Sequence, residues 1–392
     1  MICQFRHRIT LIHRGFQPRL VSSIFSHART TMTAVTSPAT KELNLFCDSV
    51  ILGDRFVSNS AVVSIRGSQI QKVLEMSRSE MEAKRSSGEL SNLEDLGPDV
   101  MLCPAFVNTH THLAMNAMRG VTTARDMAGN VVEDVFFRVE GSLTADDVRA
   151  FTRMGCYEAV LAGVGACFDH YYFGEAVAAA MAEVGMSGAV APTLQDLSGP
   201  GLVLGGWEAA LEQTLSIHRD PALRDRGIVA ALGPHATDTV SPKLWSVIVE
   251  NAERENIPIH VHVAQSHDEF RRAHDRSGLS PVGILERDGV LGSRANLLLI
   301  HAMFLSNQDL DKLSPERHTL GICPSSSVQF GFPCDVAAWR ARGLGVAVGT
   351  DASCSSDQMN VQQELRWLGN GGLFGATASA EHHEYQSTGG AA

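Results

Sequence analysis

The stretch IPIHVHVAQSHDEF (Ile257–Phe270) decides how the chain is read. It opens with an apolar run of β-branched residues and closes on His262 and Gln265. It then turns into the polar, helix-prone SHDEF. Side chains on a strand alternate between faces, so His260 and His262 point the same way. A strand that is apolar along its length, polar at its C-terminal end and followed by a helix is the repeating unit of a parallel sheet buried on both faces.

The same unit recurs on either side. VMLCPAFVNTH, GVGACFDHYY, MSGAVAPTLQ and GIVAALGPHAT precede it; NLLLIHAMF, TLGICPSSS and LGVAVGTDA follow. Segments with helical spacing separate most of them, among them TADDVRAFTRMGCYEAVLA, GEAVAAAMAEVG and SPKLWSVIVENAERE. Eight such units over roughly 250 residues predict a (β/α)8 barrel spanning residues 101–368. An open doubly wound sheet is the alternative; no Gly-x-Gly-x-x-Gly follows the first strand to support it. Ahead of the barrel, residues 42–100 read as short alternating strands, with a turn at Gly67, followed by a long polar surface connection. They predict a small β-module, one part of a sandwich.

The polar residues cluster at one end of the strands. His110 and His112 close the first, Asp169 and His170 the second, Gln195 and Asp196 the third, and His235 the fourth. His262 and Gln265 close the fifth, His301 the sixth, Ser325–Ser327 the seventh and Asp351 the eighth. In a barrel these ends meet at the face where active sites form. His110 and His112, two apart on a strand, can serve one metal. With His262 and Asp351 they make three imidazoles and a carboxylate, a set that suits one divalent ion, Zn²⁺ or Fe²⁺, with a position left for water. His301 reads as polarising water or substrate, or else as a hydrogen-bonded core histidine. Asp351 reads as an inward functional carboxylate, or else as a turn former. His170, Tyr171 and Tyr172 either meet a substrate ring or cover the barrel mouth.

PAFVNTHTHLAMNAMRG, GPHATDTVS, HVHVAQ, LLIHAMFLS, ICPSSS and VAVGTDASCSSDQMNVQQELR together resemble the amidohydrolase superfamily, in its chlorohydrolase and S-adenosylhomocysteine/methylthioadenosine deaminase branch. The resemblance runs from about Leu43 to about Leu368. It implies a metal-dependent (β/α)8 barrel with a β-sandwich built from both chain ends. The implied metal ligands are His110, His112, His262 and Asp351. His301 would orient water or the leaving group, Asp351 would take a proton from the attacking water, and Glu140 and His235 would contact substrate. The implied reaction is hydrolytic attack on a C–N or C–halogen carbon of an N-heterocycle, a small-molecule substrate. Deaminases of this family usually carry Glu where this chain has Gln265, and an amide orients a ring but shuttles no proton. A catalytically impaired metal-binding relative is therefore a second reading. A two-metal cyclic amidase is a third, opposed by the lack of a bridging Lys after the fourth strand.

The remaining composition bounds the setting. With 44% hydrophobic and 19% charged residues the chain is globular. A net charge of −11 argues against a nucleic-acid surface, and no run is long and apolar enough to predict a membrane span. The eight scattered cysteines, none in a Cys-x-x-Cys pair, predict reduced thiols rather than disulfides or a thiolate zinc site. Residues 1–41 carry five arginines and no acid. They read as an organelle transit peptide, which would be mitochondrial or similar, or as a disordered tail on a cytoplasmic protein. Residues 369–392 read as a Gly/Ala/Ser-rich, disordered tail that leaves the sandwich without its second half. A homodimer would cover the edge so exposed.

Overall fold

The computed structural model describes residues 42–52, 55–57, 60–122, 130–331 and 334–369. The expected leader, and the tail beyond residue 369, lie outside them. The chain divides between Phe106 and Val107 into two compact units.

The N-terminal unit holds strands β1 (Glu42–Cys47), β2 (Ser49–Leu52), β3 (Arg55–Val57), β4 (Ala61–Arg66), β5 (Gln69–Glu75), β6 (Leu93–Asp95) and β7 (Met101–Leu102). They form two sheets, in the orders β5-β4-β1-β6 and β3-β2-β7. β1 and β4 run antiparallel with Leu45 opposite Val63 and Phe46 opposite Val62. Both strands are buried on both faces. Phe46 and Val62 pack with Met81 and Leu90, while Leu45, Val63 and Ile65 pack with Ile70, Leu96 and Leu102.

The polar stretch after β5 contains a largely exposed helix, Arg78–Ser87. Ser77 and Glu80 form a reciprocal capping box at its start, and Gly88 ends it in the left-handed conformation. Met81 is its buried residue, and that one side chain on the Phe46–Val62 face anchors it.

The C-terminal unit contains β8 (Phe106–Thr111), β9 (Val164–Tyr171), β10 (Ser187–Leu194), β11 (Ile228–Ala230), β12 (Gly233–Pro234), β13 (Ile259–Val263), β14 (Leu297–His301), β15 (His318–Ile322) and β16 (Gly345–Val348). β10 pairs in parallel with β9, β11 and β12, and β13 to β16 pair in parallel in sequence order. β8 to β12 form one sheet and β13 to β16 the other. Two parallel bridges, Leu232 with Ile259 and Thr111 with Asp351, join the sheet edges into a ring. The fourth position of this barrel is split: β11 and β12 are separate pieces along the run that the sequence presents as one strand.

The predicted helices form where the caps demand. Ala145–Leu161 starts on a Thr144/Asp147 capping box, Gly174–Val184 stops at the left-handed Gly185, and Pro242–Glu255 starts on Ser241. The largest apolar cluster lies around β13 and β14, where Trp245, Ile248, Val261, Val263, Leu297 and Leu299 are all buried. Close approach between neighbouring strands relies on Gly188, whose φ is 148°; a Cβ there would lie 1.8 Å from the Cys167 carbonyl oxygen. The described cysteines are all free, and only Cys103 among them is exposed. No described helix is long and apolar enough to cross a membrane.

Trp245 is fully buried in the main cluster. Trp245→Ala is expected to cost about 3–5 kcal/mol of unfolding free energy, measured by urea denaturation. A loss below about 1 kcal/mol would show that this cluster does not hold the barrel.

Candidate active site

The C-terminal ends of the barrel strands surround a cavity of about 450 Å³. His112, Glu140, His170, His235, His262, Gln265, His301 and Asp351 all line it. His110 sits beneath, fully buried. The structure thus brings every candidate residue to one place, although they span more than 240 positions of sequence.

Each element sets its side chain by a specific device. β8 alternates, so the rings of His110 and His112 lie on one side, their centroids 4.7 Å apart. Gly349 lets the chain after β16 come against β8; a Cβ there would lie 2.6 Å from the His110 carbonyl oxygen. The same carbonyl accepts the backbone N–H groups of Thr350 and Asp351, both at 3.1 Å. Asp351 (φ 60°) and His301 (φ 71°) both occupy the left-handed region. Such strain in non-glycine residues persists only where the surroundings impose it. The helical segment that follows residue 130 begins with a π-helical turn, Val132–Phe136, and continues through Phe137–Glu140, putting Phe136, Phe137 and Glu140 on the cavity wall.

The hydrogen bonds orient the imidazoles. His112 donates through Nδ1 to the His170 carbonyl at 2.5 Å, and His262 through Nδ1 to the His235 carbonyl at 2.7 Å. Both therefore turn Nε2, with its lone pair, away from the backbone. His110 Nδ1 lies 2.9 Å from His260 Nε2. His110 Nε2 is buried and has no hydrogen-bond partner. Asp351 Oδ1 lies 3.6 Å from His110 Nε2 and 3.3 Å from His112 Nε2, while Oδ2 accepts from Ser326 Oγ at 2.6 Å. The ligand atoms of His110, His112 and His262 lie within 4.8 Å of one another, as do those of His110, His301 and Asp351.

Burial pushes the rings of His110 and His235 down to about 3, and holds His170, His260, His262 and His301 below the ordinary histidine value. Neutral imidazoles are the form that binds metal. Burial alone would raise the Asp351 carboxyl, yet the imidazoles of His110 and His112 hold it well below the carboxylate range. Against burial, the Asp351 carboxylate raises the His112 ring above the ordinary histidine value, so a metal there would compete with a proton for that nitrogen. A carboxylate among imidazoles, around a buried nitrogen without a partner, is a donor set that fits a divalent metal. Burial pushes Glu140 up to about 7, with His112 and Tyr171 pulling the other way.

Several contacts were invisible along the sequence. His260 lies behind His110 and fixes its ring rather than facing the cavity. Ser326 is the serine of the SSS run that reaches Asp351, and no local pattern distinguishes it from its neighbours. Both ring nitrogens of His170 meet protein atoms, Thr193 Oγ1 at 3.2 Å and the Pro234 carbonyl at 3.3 Å. Buried Glu364, on the helix Val361–Gly369, accepts from Ser325 N at 2.8 Å and Ser325 Oγ at 2.5 Å.

The family model for the amidohydrolase family matches residues 101–373. The chain belongs to the amidohydrolase family. Among curated relatives, a 5'-deoxyadenosine deaminase from Methanothrix thermoacetophila is 30% identical over 269 residues, 68% of this chain and 62% of the relative. A 5-methylthioadenosine/S-adenosylhomocysteine deaminase from Pelotomaculum thermopropionicum is 30% identical over 272 residues, 69% of this chain and 61% of the relative. The chain thus spans about three fifths of the length of these relatives. Among solved structures, the atrazine chlorohydrolase TrzN from Arthrobacter aurescens TC1, complexed with zinc, has the same fold. It superposes with a TM-score of 0.67 at 20% identity, covering 83% of this chain and 75% of that one. As an amidohydrolase, the chain carries its candidate site at the barrel end expected from its strand pattern.

Burial pushes Glu364 up to about 7 from an ordinary 4.5. Its folded pKa is raised, so its contribution to stability is full below the unfolded value and is lost as pH rises through about 7. Glu364→Gln stays neutral throughout. It is expected to flatten the fall in the urea midpoint between about pH 5 and about pH 8. An unchanged pH slope would contradict the assignment.

Proposed function

We propose that this amidohydrolase holds one divalent metal, Zn²⁺ in the first instance, on His110, His112, His262 and Asp351. It uses that metal to hydrolyse a C–N or C–halogen bond at a carbon of an N-heterocycle. The observation that carries the reading is the buried, unpartnered His110 Nε2 among these donors. Fe²⁺ would find the same donors suitable. A metal bound there supplies Lewis acidity, which draws the pKa of water toward about 7.

The side chains divide the remaining work. Asp351, anchored through Oδ2 by Ser326, accepts the proton that the attacking water gives up. His301 stacks on His262 with ring centroids 5.5 Å apart and keeps a buried Nδ1 without a partner. It polarises the water or the departing group. Phe136, Phe137 and Met115 offer an apolar wall for a ring, while Glu140 and His235 hydrogen-bond it. His170, with both nitrogens engaged, serves as wall. The relatives named as 5'-deoxyadenosine and methylthioadenosine/S-adenosylhomocysteine deaminases support an aminated heterocycle as substrate, and the TrzN likeness is compatible with a halogenated one.

Gln265 favours a second reading, in which metal and substrate bind with little deamination. Its amide faces the cavity as a hydrogen-bond donor and cannot deliver a proton to a ring nitrogen or a leaving amine. A halide leaves with its bonding electrons and needs no proton, so the same amide suits dehalogenation better.

Elemental analysis of the purified chain is expected to find about one Zn or Fe per molecule, lost in His110→Ala. Metal-free protein, or metal retained in that variant, would overturn the ligand set. Gln265→Glu is expected to speed ammonia release from aminated heterocycles by at least about 10²-fold, the ordinary scale of a positioned acid. An unchanged rate would remove the second reading.

A further inference from the structure

Glu269 is 1% exposed and does not line the cavity, yet it binds two loops that do. It lies in the first turn of the helix His267–Ser277, whose cap, Ser266, accepts the Glu269 N–H at 3.1 Å. Its Oε2 accepts the backbone N–H of Gln265 at 2.8 Å. Its Oε1 accepts the Thr237 hydroxyl at 2.6 Å and the Thr237 N–H at 3.4 Å. Thr237 is fully buried and lies between His235 and Asp238, both on the cavity wall. One carboxylate thus joins the ends of two neighbouring barrel strands, β12 and β13. The chain between β13 and Gln265 passes through Ala264 at φ 50°, a conformation that a non-glycine residue holds only under constraint.

We propose that Glu269 is a positioning residue: it clamps the Gln265 and Thr237 loops together and so fixes the Gln265 amide and the His235 ring against the bound heterocycle. This rests on the function proposed above for the same cavity. Glu269 does not act as the missing acid, because it does not line the cavity and both its oxygens already accept from protein donors. Burial raises its carboxyl above the ordinary range, so a neutral side chain of the same shape is compatible with the position.

The test compares Glu269→Ala, Glu269→Gln and Thr237→Val with the parent, using the aminated or halogenated heterocycle that the parent turns over. Misplacing substrate contacts by about 1 Å costs on the order of 10²-fold. Glu269→Ala is expected to lower kcat/KM by about 10- to 100-fold with metal content unchanged. Glu269→Gln, whose amide oxygen can still accept from Gln265 while its amino group meets the Thr237 hydroxyl, recovers most of the loss. Thr237→Val, which removes one leg of the clamp, falls between them and carries the test if Glu269→Ala does not fold. A parent-like Glu269→Ala, or Glu269→Gln as impaired as Glu269→Ala with fold and metal intact, overturns the proposal. Hydrogen exchange gives a second readout that needs no activity: the Gln265 amide should lose protection in Glu269→Ala and keep it in Glu269→Gln, whose single amide oxygen still accepts it. A parent without turnover would sink the functional reading while this exchange measurement still decides the clamp, and a Gln265 amide equally protected in both variants overturns it.

Discussion

The His110 carbonyl accepts two backbone N–H groups, from Thr350 and Asp351, and this seam governs the rest of the barrel's working end. It ties the first strand to the chain just past the last one. Residues 240 positions apart thereby become neighbours, and the Asp351 carboxylate comes to within 3.6 Å of the His110 ring. The seam has conditions. Only glycine fits at Gly349, because any Cβ would meet His110, and Asp351 must take a left-handed backbone. Asn108 and Thr350 brace the same junction through two hydrogen bonds, at 2.8 and 3.0 Å.

Burying so many imidazoles at one place is costly in isolation, since each polar nitrogen must leave water. The fold offsets much of this with backbone carbonyls: those of His170 and His235 take the Nδ1 protons of His112 and His262. Burial keeps the His110 and His262 rings neutral, whereas the Asp351 carboxylate outweighs burial and favours the protonated form of His112. His110 Nε2 has no such offset within the protein. An unpaired buried nitrogen costs about 1–3 kcal/mol. A metal that binds only the folded chain would convert that cost into stability, which couples the proposed site to the fold.

How much of this was legible in sequence follows from the range of each interaction. The β8 histidines were readable because alternation is a local rule, and so was the delivery of polar residues to one rim, because strand ends are marked by where apolar runs stop. The helix Arg78–Ser87 was hidden by its polarity: a single buried Met81 gives no apolar stripe, and only the Ser77/Glu80 box announced it. The break between β11 and β12 has no signal in GIVAALGPHAT. His260 against His110, Ser326 against Asp351 and Glu269 against Thr237 depend on where distant strands meet. Tertiary geometry alone supplied each partner.

The central claim is that the barrel rim binds a metal through nitrogen and oxygen donors centred on His110. X-ray absorption on the zinc-loaded chain tests it most directly. The expected spectrum shows a shell of nitrogen and oxygen at about 2.0–2.2 Å with the scattering pattern of several imidazoles. A sulfur shell near about 2.3 Å, or a zinc surrounded only by water oxygens, would contradict it.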